Sequence, residues 1–287
     1  MKANYTKLIF LALLFITASV SQAQNFQGKA FYMSKTSVDV DNFGRPDMPE
    51  DRKKQMQERL KSMFEKNYEL TFNQTESIYK EEETLETPGQ GGGGGRGFSM
   101  MSSSFTGGPL YKNIKTKDLL QEQEFFGKQF LVKDELPVYE WKMTGETKKI
   151  GQYTCFQATA TIQSKAVGFE DFRPPKRDGE ESEETESEIG ALKEINIVAW
   201  YTMQIPINQG PGEYWGLPGL ILEVNAGKTT ILCSKIVMNP EEKTTIKVPK
   251  KGKEVSKEEY NEIVKKKTEE LRNNFRNRRG GPGGGRR

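Results

Sequence analysis

Apolar side chains recur along this chain mostly at every second position, in short runs separated by glycine, proline and polar turn residues. Residues 68–74, YELTFNQ, set the type: Tyr68, Leu70 and Phe72 alternate with polar neighbours, as a strand with one buried face requires. The same reading predicts strands over 29–40, 76–82, 110–116, 118–125, 128–134, 139–144, 153–163, 194–202, 220–224 and 229–238. Turn candidates such as Thr144-Gly145 and Asn225-Ala226-Gly227 separate neighbours. Many short strands at this spacing predict a mainly β (α+β) fold, a curved antiparallel sheet in one domain over residues 24–250.

Two stretches change period. Asp47 and Glu50 form a capping-box pair with Pro49 in the first turn, and Met56, Leu60, Met63 and Phe64 then share one stripe, predicting a helix over 49–65 that covers one face of the sheet. A second start signal lies at Ser256, three residues before Glu259, with Val255 and Tyr260 placed as a hydrophobic staple. It predicts a peripheral helix over 251–277 with a thin apolar stripe of Tyr260, Ile263, Val264, Leu271 and Phe275. Residues 86–109 are dominated by glycine and serine, and residues 165–190 by charge. Both predict mobile loops, because neither can bury enough apolar surface to order itself. Residues 278–287 predict a disordered Gly/Arg tail.

The N-terminus assigns a compartment. Lys2 and Lys7 precede or border the uncharged run 8–20, LIFLALLFITASV, and Ser21 and Ala23 supply the small residues of a cleavage site. This predicts a signal peptide over 1–23, cut after Ala23, and a protein that is exported and either periplasmic or peripherally associated with the outer membrane. With no cysteine at that junction, a lipoprotein anchor is not expected. The formal net charge is +3, and two of those charges leave with the leader, so net charge implies no partner. The distribution is uneven: residues 179–188 are acidic, while 272–287 carry six arginines and no acid. Export makes nucleic acid a poor partner for that tail, and weak contact with an anionic envelope surface is the functional alternative to a plain solubilising role.

Candidate chemistry is sparse. The chain has no histidine, which removes Ser-His-Asp and Cys-His catalysis and His-ligated zinc. No nucleophile elbow, SxxK pair or phosphate loop occurs. Glu140 and Glu223 form an acid pair only if folding joins them. Met48, Met56, Met63, Met100 and Met101 suit copper by chemistry but core packing or loop by position. No cofactor is expected, nor an enzyme. Cys155 and Cys233 are the only cysteines; export favours a disulfide between them, with two separately buried thiols as the alternative.

Residues 212–224, GEYWGLPGLILEV, join turn chemistry to an apolar strand. Pro218 and Gly219 predict a type II corner with positive φ at Gly219, pinned by Trp215, Leu217, Leu220 and Leu222. The segment Trp215, Gly216, Leu217, Pro218, Gly219, Leu220, Ile221 is therefore either a structural turn or a partner surface. Its hexapeptide resembles the signature of the GLPGLI family, exported proteins of Bacteroidota-type bacteria without a settled biochemical function. SIY at 77–79, IGQYTCFQATATI at 150–162 and AWYTMQIPINQGP at 199–211 extend the likeness over roughly residues 27–240. The resemblance implies an accessory role at the outer membrane beside a TonB-dependent receptor-like partner. The order of strands around 139–202 is also similar to LolA-type lipoprotein carriers, which implies an open half-barrel with one or two peripheral helices.

Two functions follow as expectations. One is a non-enzymatic exported accessory or binding protein of the cell envelope that engages a protein partner. The other is a carrier of a lipid or other apolar ligand in a sheet–helix cavity lined by Phe31, Tyr68, Phe72, Phe130 and Trp141.

Overall fold

A computed structural model describes residues 26–37, 49–82, 107–164, 192–241 and 245–279. The leader and its cleavage site, Asp47, most of the two predicted loops and residues 280–287 lie outside the described residues. The strands are β1 (Gln27–Thr36), β2 (Glu65–Asn73), β3 (Glu76–Glu81), β4 (Gly107–Asn113), β5 (Asp118–Phe125), β6 (Lys128–Glu135) and β7 (Lys142–Ile150). They continue with β8 (Tyr153–Ser164), β9 (Lys193–Thr202), β10 (Leu220–Ala226), β11 (Thr229–Met238) and β12 (Lys253–Ser256). Helix α1 spans Glu50–Phe64 and α2 spans Lys257–Arg279. The protein is mostly β, a single open curved sheet with two helices.

The strand order is β12-β6-β5-β4-β3-β2-β1-β11-β10-β9-β8-β7. Two antiparallel meanders, β1 to β6 and β7 to β11, therefore meet at the β1–β11 pair in the middle, where Gly28 faces Met238 and Thr36 faces Thr229. That arrangement forces curvature. The chain passes from β6 to β7 through residues 136–141 alone, yet the two strands stand ten spacings apart in the sheet. Laid flat, ten spacings span about 48 Å. Seven extended residue steps reach at most about 25 Å. The sheet must bend until its two ends can be joined by that link.

Among the described residues, buried side chains form four clusters. The largest unites Ala30, Tyr32, Leu70, Phe72, Tyr79, Cys155, Trp200, Leu220, Leu222 and Cys233 with Ile205 and Ile207. A second joins Ala158, Ile197, Ala199, Tyr201, Ile221 and Val224 to Leu217, with Tyr139, Trp141 and Tyr214 packed on it. A third sets Val255 of β12 and Val264 of α2 on Phe125, Phe130 and Val132. The fourth is Leu110, Leu119 and Leu136 with Ile114 and Trp215.

Several boundaries differ from the sequence reading for physical reasons. Gly107–Pro109, assigned to a loop, open β4, which pairs from Gly107 to Gln123 with an irregularity before Leu110. Gly145 is no inter-strand turn: its φ of 81° and a register shift make it a bulge inside β7. Tyr139–Trp141 precede β7 as an extended link. Residues 253–256 are a strand rather than helix, pairing parallel to β6 with Val255 opposite Val132, and so cover one edge of the sheet. At the N-terminus of α2 the capping box forms as its residues require. The Ser256 amide donates to Glu259 Oε2 at 3.0 Å, and the Glu259 amide donates to Ser256 Oγ at 3.1 Å. Tyr260 packs on the Val255 cluster. Along α1 the described side chains are mainly exposed; Met56, Leu60 and Met63 lie outside the described side chains.

Replacing Ser256 with Ala removes one half of the reciprocal cap. Denaturant titration is expected to show a loss of about 1 kcal/mol, with Ser256→Asp close to wild type.

Candidate functional site

Between β9 and β10, residues 203–219 cross the bend. Three prolines (Pro206, Pro211, Pro218) restrict the backbone, and hydrogen bonds fold the segment on itself. The amides of Ile207 and Leu220 both donate to Ile205 O, at 2.8 and 2.9 Å. Ile221 N donates to Gln209 O at 3.0 Å, and Gly216 N to Asn208 O at 3.2 Å. The segment supplies Ile205 and Ile207 to the first cluster, Leu217 and Tyr214 to the second and Trp215 to the fourth. Glu213 makes an ion pair to Lys257 of α2 at 3.2 Å, with Asp134 of β6 at 3.9 Å from the same amine. One segment thus enters three of the four clusters and reaches α2 through an ion pair.

Its hexapeptide is a buried corner of another kind than expected. Gly219 is not among the residues with positive φ; Gly216 is, at 93°. Glycine is required at 219 because an added Cβ would overlap the carbonyl of Thr202 at the end of β9. At 216 the reverse holds, since the nearest atom to an added Cβ is Trp141 Nε1 at 3.6 Å and only the backbone conformation selects glycine. Leu217, Leu220 and Ile221 are fully buried, whereas Gly216 and Pro218 are exposed. The Ile221 carbonyl accepts from the Tyr32 hydroxyl at 2.7 Å.

Two tryptophans fasten the corner to the link between β6 and β7. Trp215 Nε1 donates to Pro137 O at 2.8 Å, and Trp141 Nε1 donates to Trp215 O at 3.0 Å. Tyr139 stacks on Trp141 with ring centres 5.1 Å apart and leans on Tyr214 at 5.7 Å. Lys117 Nζ lies 3.9 Å above the Trp215 ring. Burial, and then the charge of Glu213, push the hydroxyls of Tyr139 and Tyr214 far up from the usual tyrosine value. Around these half-buried rings stand Val138, 83% exposed, Met143, 54% exposed, and Pro218.

On the sheet side, the brace is held by a polar group that sequence reasoning missed. Lys112 of β4 is fully buried, and its ammonium donates to Gly210 O at 2.7 Å and Tyr214 O at 2.9 Å. Opposite it, Ser77 of β3 donates to Gln209 Oε1 at 2.8 Å, with both side chains fully buried. The signal was present in the alternation: Leu110 and Lys112 share a face, so the lysine occupies an apolar phase of its strand. Burial pulls Lys112 down to about 7, opposed by the charge of Glu213.

The other singled-out residues are dispersed. Tyr68 and Phe72 meet in the first cluster. Phe31 points from the other face of β1, beneath Lys235 at 5.3 Å. Phe130 belongs to the helix-covered edge and Trp141 to the corner. These five therefore do not line one common space. Cys155 and Cys233 share the first cluster, where both are buried free thiols. Burial in apolar surroundings raises them to about 11 and about 12. Glu223 does not meet the exposed Glu140; it pairs with Lys148 at 2.7 Å and accepts from Asn225. Among the described residues no group of three His, Cys, Asp or Glu side chains could hold a metal ion, and no helix is long and apolar enough to cross a membrane.

A family model for a protein of unknown function, Porph_ging, matches residues 141–223, from Trp141 through the crossing segment into β10. No curated protein matches the sequence. Two solved structures of PNGF-II, in space groups C2 and P21, are similar with TM-scores of 0.46 and 0.42 and 13% identity. The matches cover 85% and 83% of this chain but 33% of those chains, so the chain spans about a third of the length of the solved structures it matches.

Two tests follow from the corner and its lysine. Gly219→Ala is expected to cost about 3 kcal/mol or more, as a forced overlap with backbone, and Gly216→Ala about 1 kcal/mol, as a positive-φ penalty. Equal losses in calorimetric scans would remove the distinction between the two glycines. Lys112 gives a pH dependence with a definite sign. The unfolded chain keeps this proton to about 10.4, so above pH 7 the unfolded state binds more protons and stability rises. The slope is about 1 kcal/mol per pH unit, up to about pH 8.5, where unfolded thiols begin to ionise and oppose it. Denaturant titrations across pH 7 to 8.5 should show that rise in the wild type and a flatter profile in Lys112→Met.

Proposed function

We propose that this chain is a non-enzymatic accessory or binding protein of the cell envelope, exported and of the GLPGLI type, which engages an outer-membrane partner resembling a TonB-dependent receptor. The observation that carries the reading is the division of labour at the crossing segment. Its inner residues are consumed in bracing the sheet, while Val138, Pro218 and Met143 are exposed on the link, the corner and β7, next in the chain to the half-buried rings of Tyr139 and Trp141. Aromatic and methionine side chains half-exposed beside a rigid corner have the composition of a protein-binding patch. The leader-like N-terminus and the absence of histidine support the same reading. A carrier needs its apolar lining gathered around one space, and the dispersal of Phe31, Phe130 and Trp141 from Tyr68 and Phe72 gives that alternative less support.

A photo-crosslinking residue at position 138 in the full chain, expressed in its own envelope, is expected to capture a defined outer-membrane protein. The same probe at exposed Lys80, on β3, should not. With the probe kept at 138, Met143→Asp should reduce capture at least tenfold with an unchanged melting temperature. Failure to recover a reproducible envelope adduct from position 138, or capture indifferent to the substitution, would remove the proposal.

A further inference from the structure

Inside the bend, hydrogen-bond donors outnumber their acceptors around a buried charge. Lys112 is wholly shielded from solvent, and both of its bonds go to neutral carbonyls, Gly210 O and Tyr214 O. Glu213 is the acid whose charge reaches it, yet Glu213 is bound to Lys257. Among the described residues no carboxylate bonds the Lys112 ammonium. Next to it in the β3–β4 register, Ser77 donates to Gln209, and the amide nitrogen of that fully buried glutamine has no partner. Two residues along the same face of β3, the Tyr79 hydroxyl is buried without a partner, as is the Tyr139 hydroxyl of the link. Two residues further, Glu81 is paired with Lys66 through Oε1, and its buried Oε2 is the one unpartnered acceptor among these atoms.

Unmatched buried donors mark an absent acceptor. A water molecule would serve Gln209 and Tyr79, but below about pH 7, where Lys112 is charged, it leaves the ammonium without a countercharge, and an unpaired buried cation is among the least favourable things a core can contain. An acceptor carrying a single negative charge answers both demands. We propose that a small monovalent anion, a halide or a short carboxylate, binds within the bend beside Lys112, with the ammonium as countercharge and Gln209 Nε2 and the Tyr79 hydroxyl as neutral donors. Because Gly210 and Tyr214 are held by the same amine, the anion fixes the charge state of the group that anchors the crossing segment. Anion uptake is then coupled to protonation of Lys112. The other groups facing these donors do not share the change: burial raises the Tyr79, Tyr139 and Tyr214 hydroxyls, which stay neutral at pH 9, Glu213 is paired with Lys257, and Glu81, whose charge reaches Tyr79, is paired with Lys66.

The test uses the full chain with sodium bromide and sodium formate titrated at an ionic strength held by a bulky organic sulfonate. Melting temperature should rise along a saturating curve at pH 6 and respond several-fold less at pH 9. Lys112→Met should abolish the response, and Tyr79→Phe, which removes only a hydroxyl, should weaken it several-fold. Crystals soaked in bromide should show an anomalous peak beside Lys112 Nζ. If Lys112→Met does not fold, Tyr79→Phe and the anomalous peak decide the question. A response of equal size in Lys112→Met, bromide only on surface lysines, or a water alone beside Gln209 and Tyr79 overturns the proposal.

Discussion

The six residues 136–141 must connect strands ten spacings apart in a 12-stranded sheet, and most of the architecture answers to that constraint. A strand array bent far enough to be joined by so short a link encloses space that side chains from the strands cannot fill alone, since neighbouring strands splay along the bend. Bulges accommodate the curvature at three places in the second meander and its junction with the first: between Phe31 and Tyr32, between Ile221 and Glu223, and between Met143 and Thr147. The enclosed space is then occupied by chain rather than by larger side chains. The link itself lays Leu136 on Leu110 and Leu119, and its Tyr139 and Trp141 on Tyr214. The crossing segment adds Ile205, Ile207, Leu217 and Tyr214 to the same packing.

Filling a core with irregular backbone brings its own difficulty, because every buried amide and carbonyl of the segment needs a partner. The solutions are local and specific. Leu220 and Ile221 turn their amides back onto Ile205 and Gln209, so the segment satisfies itself where it doubles back. Where it passes the sheet, side chains serve instead: Lys112 for Gly210 and Tyr214, Tyr32 for Ile221, and Trp141 for Trp215. This explains the glycines without invoking flexibility. Gly219 lets β10 start in contact with the end of β9, and Gly216 supplies a turn that no side chain obstructs. A surface loop of the same length would need neither feature.

Much of this was legible in the chain. Period-two alternation located nearly all the strands, because most turn one face to the core, and the expected span 229–238 coincides with β11, Thr229–Met238. Ser256 and Glu259 announced α2, since a capping box depends on four consecutive residues. What stayed hidden depends on distant partners. Nothing local in KEVS distinguishes a four-residue strand from the first turn of a helix; its pairing with β6 decides. Gly145 has the same local chemistry in a bulge as in a turn. The proline and glycine of the hexapeptide suggested a type II corner, and the structure overruled the dihedral while keeping the residue, because the carbonyl of Thr202 arrives from another strand. The five aromatic residues grouped for a cavity were chosen by type, and type does not say which face or which end of a 12-stranded sheet a residue occupies.

Lys112 raises the sharpest question of design. An apolar residue of similar length at that position would avoid the desolvation of an ammonium, and buried ions are often replaceable by hydrocarbon without loss of stability. Hydrocarbon, however, would leave the carbonyls of Gly210 and Tyr214 unpaired in the interior, and two such groups cost more than one hydrogen bond each contributes when made. It would also free the segment to slide, since apolar contact has no preferred register, whereas one amine between two carbonyls four residues apart accepts only one. The lysine therefore trades stability for a fixed position of Tyr214 and Trp215. Those two rings carry the corner's packing on both the link and the sheet, so the outward rim of Tyr139 and Trp141 inherits its geometry from a charge it never touches.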